Sequence, residues 1–292
     1  MSDLEFGFYP GCCFQGTDAR LYEVIEKVLS VLEVKLNLLE GAVCCGAGVL
    51  EETDPETAVR LNAYNISLAE KRNLKFLTPC NTCLYENRKI KYELDNNEKL
   101  KQRVNAALKK ENLEYQGTSD ITHLLWILVD DIGLERIRKN VKRKLGGFVA
   151  ALYYGCHILR PKEYMTRDDF ENPRSFEALA DVLGISYIDY KTKSACCGYH
   201  SYYTNRTVSL KLGKRYLDGV YQSGAEAIVT ACPLCFKALD VYQKEMNLDY
   251  QIPVFYLPEI VGLAFGFSPK EMMLDWHQIS LAQILSKMGD FE

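Results

Sequence analysis

The sequence predicts an α/β protein built from two duplicated halves, each organised on a parallel sheet, and three observations carry that prediction. Cysteine motifs recur in one order: Cys12, Cys44 with Cys45, and Cys80 with Cys83, then Cys156, Cys196 with Cys197, and Cys232 with Cys235. Between Cys45 and Cys80 lie 34 residues, and 34 lie between Cys197 and Cys232, a matched interval of the kind that marks an internal repeat. Short apolar runs lead into these cysteines, and segments of helical spacing separate the runs.

The elements follow in chain order. "LEFGFYPGCC", "EVKLNLLEGAVCCG" and "LKFLTPCNTC" in the first half each read as a β-rich run ending at a cysteine. "GFVAALYYGC", "ISYIDYKTKSACCG" and "AEAIVTACPLC" do the same in the second. Between them, "DARLYEVIEKVLSVL" has apolar residues at helical spacing, "PETAVRLNAYNISLAEKRN" opens on Pro55 beside an acid, and "RSFEALADVLG" closes on Gly184 where a C-cap belongs. Strands alternating with helices imply βαβ units, hence Rossmann-like halves spanning residues 1–145 and 146–292. In open α/β sheets ligands collect at the carboxyl ends of strands, so three strand ends per half bring five cysteines to one place. The 39 residues between Cys156 and Cys196, against 31 between Cys12 and Cys44, place an insertion around "RPKEYMTRDDFENP".

Composition narrows the functional classes. A chain of 292 residues with 48% hydrophobic and 25% charged residues is that of a globular protein of about two domains. Its net charge of -4 gives no basic footprint for nucleic acid. The apolar run "IVGLAFGF" is too short to span a bilayer, and "MSDLEFGFYPG" lacks the basic and apolar regions of a signal peptide. A cytoplasmic location with no membrane span is therefore expected. There 11 cysteines point to metal or thiol chemistry rather than disulfides.

Five shared cysteines per half exceed the four thiolates that a structural zinc or an ordinary cubane cluster accepts. A larger or less symmetric iron–sulfur cluster uses all five. The glycine after each cysteine pair lets the backbone turn tightly and lie close to sulfide. A zinc-binding structural module is a competing reading that leaves the fifth thiolate unexplained. Cys13 aligns with His157, has no cysteine counterpart, and reads as a buried thiol beside the set.

The doubled pattern of one Cys, then CCG, then CxxC resembles the tandem cysteine-rich CCG family, and the whole chain resembles the HdrB subunit of heterodisulfide reductase from methanogens. That resemblance implies two noncubane [4Fe-4S] clusters. One would be held by Cys12, Cys44, Cys45, Cys80 and Cys83, the other by Cys156, Cys196, Cys197, Cys232 and Cys235. It further implies cleavage of the mixed disulfide of coenzyme M and coenzyme B, CoM-S-S-CoB, to two thiols. The implied partners are the ferredoxin-like HdrC and the flavin-bearing HdrA of the same reductase, in a complex that can include a hydrogenase or formate dehydrogenase. The chain has no GxGxxG fingerprint and no bacterial ferredoxin cysteine run, so no flavin or nicotinamide is expected on it. Duplication predicts that the two cysteine sets face each other across a cleft, with the disulfide between them. Tandem CCG domains also serve as electron-transfer modules of succinate, glycolate and lactate enzymes, which is the alternative activity.

Other residues near the motifs are candidates for lesser roles. His157 and His200 are placed to deliver protons to a departing thiolate, His157 foremost. His123 and His277 read as helical residues without a role. Arg160, Lys193 and Arg206 lie near the second-half motifs and suit an anionic substrate. The aromatic run "GYHSYYTN", residues 198–205, is a candidate cleft wall.

Overall fold

The computed structural model describes residues 4–16, 19–289 and 291. Met1–Asp3, part of the stretch expected to lack a signal peptide, and Asp18, near the start of a predicted helix, lie outside them. Among the described residues, eight strands form two four-stranded parallel sheets. β1 (Leu4–Phe8), β2 (Val34–Leu38), β3 (Lys75–Thr78) and β4 (Ile121–His123) are ordered β2-β1-β3-β4. β5 (Val149–Tyr153), β6 (Ser186–Ile188), β7 (Ala227–Thr230) and β8 (Val254–Tyr256) are ordered β6-β5-β7-β8. Strand order is the same in both, as duplication requires. Central β7 is buried at every residue, which suits a strand covered on both faces.

The connecting helices form where their sequences say. Arg20–Val31 buries Leu21, Val24, Ile25, Val28 and Leu29, a single apolar face at i, i+3, i+4 spacing. Pro55–Glu70 begins on Pro55 behind Asp54, whose carboxylate accepts from Thr57 N at 3.1 Å. Ser175–Leu183 ends on Gly184 at φ +78°. The inserted "RPKEYMTRDDFENP" is a loop without a long regular element, held by Asp168 and Asp169, whose carboxylates accept backbone N–H groups from 169 to 175.

Each sheet carries a fourth strand that the sequence did not reveal. β4 and β8 are three residues each, too short for alternation to register. Both matter to the architecture. The helix Leu257–Ala264 that follows β8 is buried throughout and packs on Arg20–Val31 of the other half. The helical turns after β4 likewise pack on Ser175–Leu183. Each half thus covers the first long helix of its twin, and the buried apolar residues of both form one continuous core.

Candidate metal centre

The motifs sit just past the strand ends. Gly11 and Gly155, one residue before Cys12 and Cys156, take φ of +68° and +73°. A Cβ built on Gly11 would lie 2.9 Å from Cys83 Sγ, and one on Gly155 3.2 Å from Cys235 Sγ. Each glycine therefore lets the first-strand turn approach the second cysteine of its own CxxC. Two residues earlier, Tyr9 OH donates to the Val43 carbonyl at 2.7 Å and Tyr153 OH to the Ala195 carbonyl at 2.6 Å. Val43 and Ala195 directly precede the paired cysteines. Buried tyrosines thus pin the CCG turn to the first strand identically in both halves.

The paired cysteines then turn on glycine. Gly46 and Gly198, at φ +77° and +84°, donate backbone N–H groups to Cys44 Sγ and Cys196 Sγ, both at 3.4 Å. Cys80 and Cys232 occupy the N-caps of the helices Asn81–Asp95 and Pro233–Leu239, which carry Cys83 and Cys235 in their first turns.

The thiols of each half join into a string. Cys12 interacts with Cys44, Cys45 Sγ lies 3.8 Å from Cys83 Sγ, and Cys83 meets Cys80. The second half repeats this, with Cys156 against Cys196 and Cys235 against both Cys197 and Cys232. The first cysteine of each pair is the acidic one. Hydrogen bonds from Cys12 and Cys45, then from Gly46 N–H, hold Cys44 far down, and that from Cys156, with Gly198 N–H, holds Cys196 down to about 6. Thiolate character at these two positions is what an iron–sulfur donor set requires. Cys12 occupies the place of Cys156, while Cys13 hydrogen-bonds Cys12 and lies within electrostatic range of Cys80, Tyr199 and Tyr256. Among the described residues no three His, Cys, Asp or Glu side chains are set to hold a single metal ion.

A cavity of about 220 Å³ opens on the first-half set. Cys12, Cys13, Cys44, Cys45, Cys80 and Cys83 line one side, and Tyr199, His200, Tyr203, Thr204 and Leu234 of the second half line the other. The aromatic run therefore does wall the cavity, and its sulfur-rich side fits a polynuclear cluster by its chemistry. Symmetry fails at one point: no second-half cysteine reaches this space. Ala47 and Gly48 follow the first CCG, whereas the bulky Tyr199 and His200 follow the second. In place of a cleft, the sets touch directly through Cys80 and Cys232, whose thiols interact across the interface. Burial pushes Cys232 up, but hydrogen bonds from Cys235 and Cys80 outweigh it and hold this thiol well down.

The histidines divide differently from the sequence expectation. Thr82 Oγ1 lies 3.1 Å from both His157 Nδ1 and His200 Nε2, which brings the two candidates together, His200 lining the cavity and His157 outside its lining. Burial pushes His157 down to about 4 and lowers His200 as well, so both rings are neutral at physiological pH. His123 is not helical. It ends β4, fully buried, where burial pushes it down to about 4, and its Nδ1 accepts from Leu125 N at 3.1 Å. His277 follows a short turn and bonds Glu259 at 3.1 Å, beside Asp240, whose carboxylate accepts from Gln278 N and Ile279 N. It fastens the C-terminal segment.

None of the three basic candidates lines the cavity. Lys193 is buried against Glu177 at 2.8 Å, Arg206 pairs with Glu245, and Arg160 donates to Ser194 Oγ. Sequence reasoning also missed Tyr9, Tyr153, Gly11 and Gly155 as builders of the site. The flanks "FYPGC" and "LYYGC" contained that signal as a repeated Tyr-x-Gly-Cys.

Comparison with known proteins agrees with the duplicated geometry. A family model described as "Cysteine-rich domain", CCG, matches residues 6–86 and 150–240. The chain is 36% identical over 96% of its length to the 8-methylmenaquinol:fumarate reductase membrane anchor subunit of Wolinella succinogenes, covering 99% of that protein. It is 31% identical over 97% of its length to the HdrB subunit of the ferredoxin:CoB-CoM heterodisulfide reductase of Methanosarcina mazei, covering 97% of it. A crystal structure of a hypothetical protein from Helicobacter pylori shares the fold, with a TM-score of 0.69 at 16% identity over 94% of this chain and about half, 51%, of that one. No described helix is long and apolar enough to cross a membrane. The repeated motif, the paired sheets and these relatives place the chain in the tandem cysteine-rich CCG family of iron–sulfur oxidoreductase subunits that includes HdrB of heterodisulfide reductase.

Proposed function

We propose that the chain is the disulfide-cleaving subunit of a multi-subunit reductase, with residues 1–145 and 146–292 as its two cluster-binding domains. One noncubane [4Fe-4S] cluster is assigned to Cys12, Cys44, Cys45, Cys80 and Cys83, the other to Cys156, Cys196, Cys197, Cys232 and Cys235. Such clusters, when bound, supply single electrons and iron that accepts a thiolate. The observation that carries the reading is the sulfur-lined cavity at the junction of the halves. A disulfide entering there meets the exposed thiols Cys12 and Cys44 on one side and Tyr199, Tyr203 and Leu234 on the other. Its reduction consumes two electrons and two protons and yields two thiols. The proposed substrate is CoM-S-S-CoB. Electrons would come from a ferredoxin-like HdrC and a flavin-bearing HdrA, with a hydrogenase or formate dehydrogenase upstream. His157 is the assigned proton-transfer residue, its neutral ring relaying a proton through Thr82.

A second reading has its own observation. The described cavity lining contains no lysine or arginine, whereas the sulfonate, carboxylate and phosphate of CoM-S-S-CoB call for cationic partners. An uncharged electron carrier suits such a wall better, and the relative at 36% identity is named for a methylmenaquinol:fumarate reductase. On that reading the chain passes electrons between a quinol and another chain of its complex.

The experiment is anaerobic purification with iron, acid-labile sulfide and zinc measured per chain. Two assays follow: reduction of CoM-S-S-CoB with reduced viologen, and oxidation of a menaquinol analogue. About eight irons with matching sulfide is the content of two four-iron clusters, and disulfide turnover then supports the first reading. Quinol turnover alone supports the second. Zinc without sulfide overturns both.

A further inference from the structure

Both readings require protons to move with electrons at the cavity, yet its described lining contains no carboxylate. Apart from thiols and phenols, its described proton-exchanging groups are His200 and the hydroxyls of Thr82 and Thr204, of which Thr82 meets His200. Behind them stands an acid pair. Glu51 follows the first CCG turn in the short helix Leu50–Thr53, and Glu86 lies one turn past Cys83 on Asn81–Asp95. Glu51 accepts from Lys89 Nζ at 2.6 Å, and both side chains keep about a quarter of their surface open, 28% and 24%. Its charge reaches the imidazoles of His200 and His157.

Glu86 is different in kind. It is 1% exposed, and its Oε1 has no hydrogen-bond partner. Burial, then the neighbouring Glu51 carboxylate, pushes it up to about 8, with Lys89 opposing and Glu93 adding. Tyr164 also lies within range of its charge. A buried carboxylate with an unpaired oxygen is costly, so at neutral pH Glu86 holds a proton. A protonated acid beside an ionised, solvent-reaching one is a donor next to its own refilling point.

We propose that Glu86 and Glu51 form the proton inlet of the cavity. Glu86 stores a proton, Glu51 exchanges with solvent beside Lys89, and His200 hands protons on to the Thr82 hydroxyl at the wall. This rests on the reading of the cavity as a redox site. In disulfide reduction each thiolate released takes one proton by this route, and solvent restores it to Glu86, while both electrons come from the partner chains of the reductase.

The test is Glu86→Gln in the full, cluster-loaded chain, with Glu86→Asp as the conservative partner. Iron and sulfide per chain are expected to match the wild type. At neutral pH the wild type should show the infrared C=O stretch of a protonated carboxyl, which disappears as pH rises through about 8 and is missing in Glu86→Gln. The disulfide rate should fall by about tenfold or more and lose its decline above pH about 8, with Glu86→Asp restoring both. A Glu86→Gln chain that keeps the wild-type rate and alkaline decline overturns the inlet, and so does a wild type without the carboxyl band. If the wild type turns over neither a disulfide nor a quinol, the redox reading falls. The infrared band then decides the proton store by itself.

Discussion

Replacing Gly11 by Ala is the sharpest probe of the site, because two terms of different origin act there. The backbone term is the left-handed φ of +68°, which costs an alanine about 1–2 kcal/mol relative to glycine. The steric term is the new Cβ, 2.9 Å from Cys83 Sγ. In the metal-free chain that sulfur rotates away at little cost, since a cysteine side chain has one free torsion. Once the sulfur is bonded to iron, it is fixed. The metal-free variant should therefore lose only the backbone term, read as a lowered urea midpoint. The loaded variant should fail to assemble the first-half cluster and retain roughly half of the iron and sulfide expected of two clusters. Gly155→Ala supplies the control. Its φ of +73° carries the same backbone term, but its Cβ would sit 3.2 Å from Cys235 Sγ and 3.3 Å from Asn81 Nδ2, distances that shifts of a few tenths of an ångström relieve. It should keep most of its iron. A Gly11→Ala chain that loads to the wild-type level, or a pair of variants that lose iron equally, would refute the claim that close approach to Cys83 shapes the first site.

Three further outcomes rest on the same geometry. Cys197→Ala should remove the second-half iron and leave the first-half content, whereas Cys13→Ala, which removes a neighbour of Cys12 and no assigned ligand, should keep both; iron analysis distinguishes them. Tyr153→Phe should lower stability by about 1 kcal/mol by removing the hydroxyl that donates to the Ala195 carbonyl, and Tyr9→Phe by less, because Asn65 Nδ2 still donates to Val43 at 3.0 Å; urea unfolding of both variants decides. Glu86 has a folded pKa raised to about 8, so the stability it contributes is complete below its unfolded value and is lost as pH rises through about 8. That loss amounts to a few kcal/mol, and Glu86→Gln should flatten the slope in denaturation measured across this window.

The parts of the site that were legible in the sequence are those written as intervals along the chain. The cysteine spacing, the glycine after each pair and the cap at Gly184 are local, and each has one conformational meaning. What escaped depends on contacts between distant segments. β4 and β8 are three-residue strands whose positions come from pairing with β3 and β7, not from any pattern of their own. His123 lies in an apolar stretch that reads as a helix, and its strand conformation is set by pairing with Thr78. Lys193 resembled a substrate-binding cation because its partner Glu177 is 16 residues away. Glu51 and Glu86 are separated by a strand and a helix, so nothing in the chain pointed to them as a pair.

The departure from symmetry carries the functional argument. Duplication delivered two equivalent thiol strings, each with its tyrosine pin, its left-handed glycine and its acidic thiol at the first cysteine of the CCG pair. A perfect twofold would have set a Gly-Ala-Gly turn beside both. The second copy has Gly198-Tyr199-His200 instead, and those rings reach across to wall the first copy's cavity while His200 meets Thr82. One half therefore opens to a ligand, and the other supplies its lid and a proton-exchanging ring. The second string, buried at Cys197, Cys232 and Cys235, touches the first through Cys232 and Cys80. On the proposed reading such an arrangement puts the second thiol set beside, but outside, the cavity of the first, and it requires the halves to remain docked. The reciprocal packing of Leu257–Ala264 on Arg20–Val31, and of the turns after β4 on Ser175–Leu183, meets that requirement, because neither half can move away without exposing a core helix of its twin.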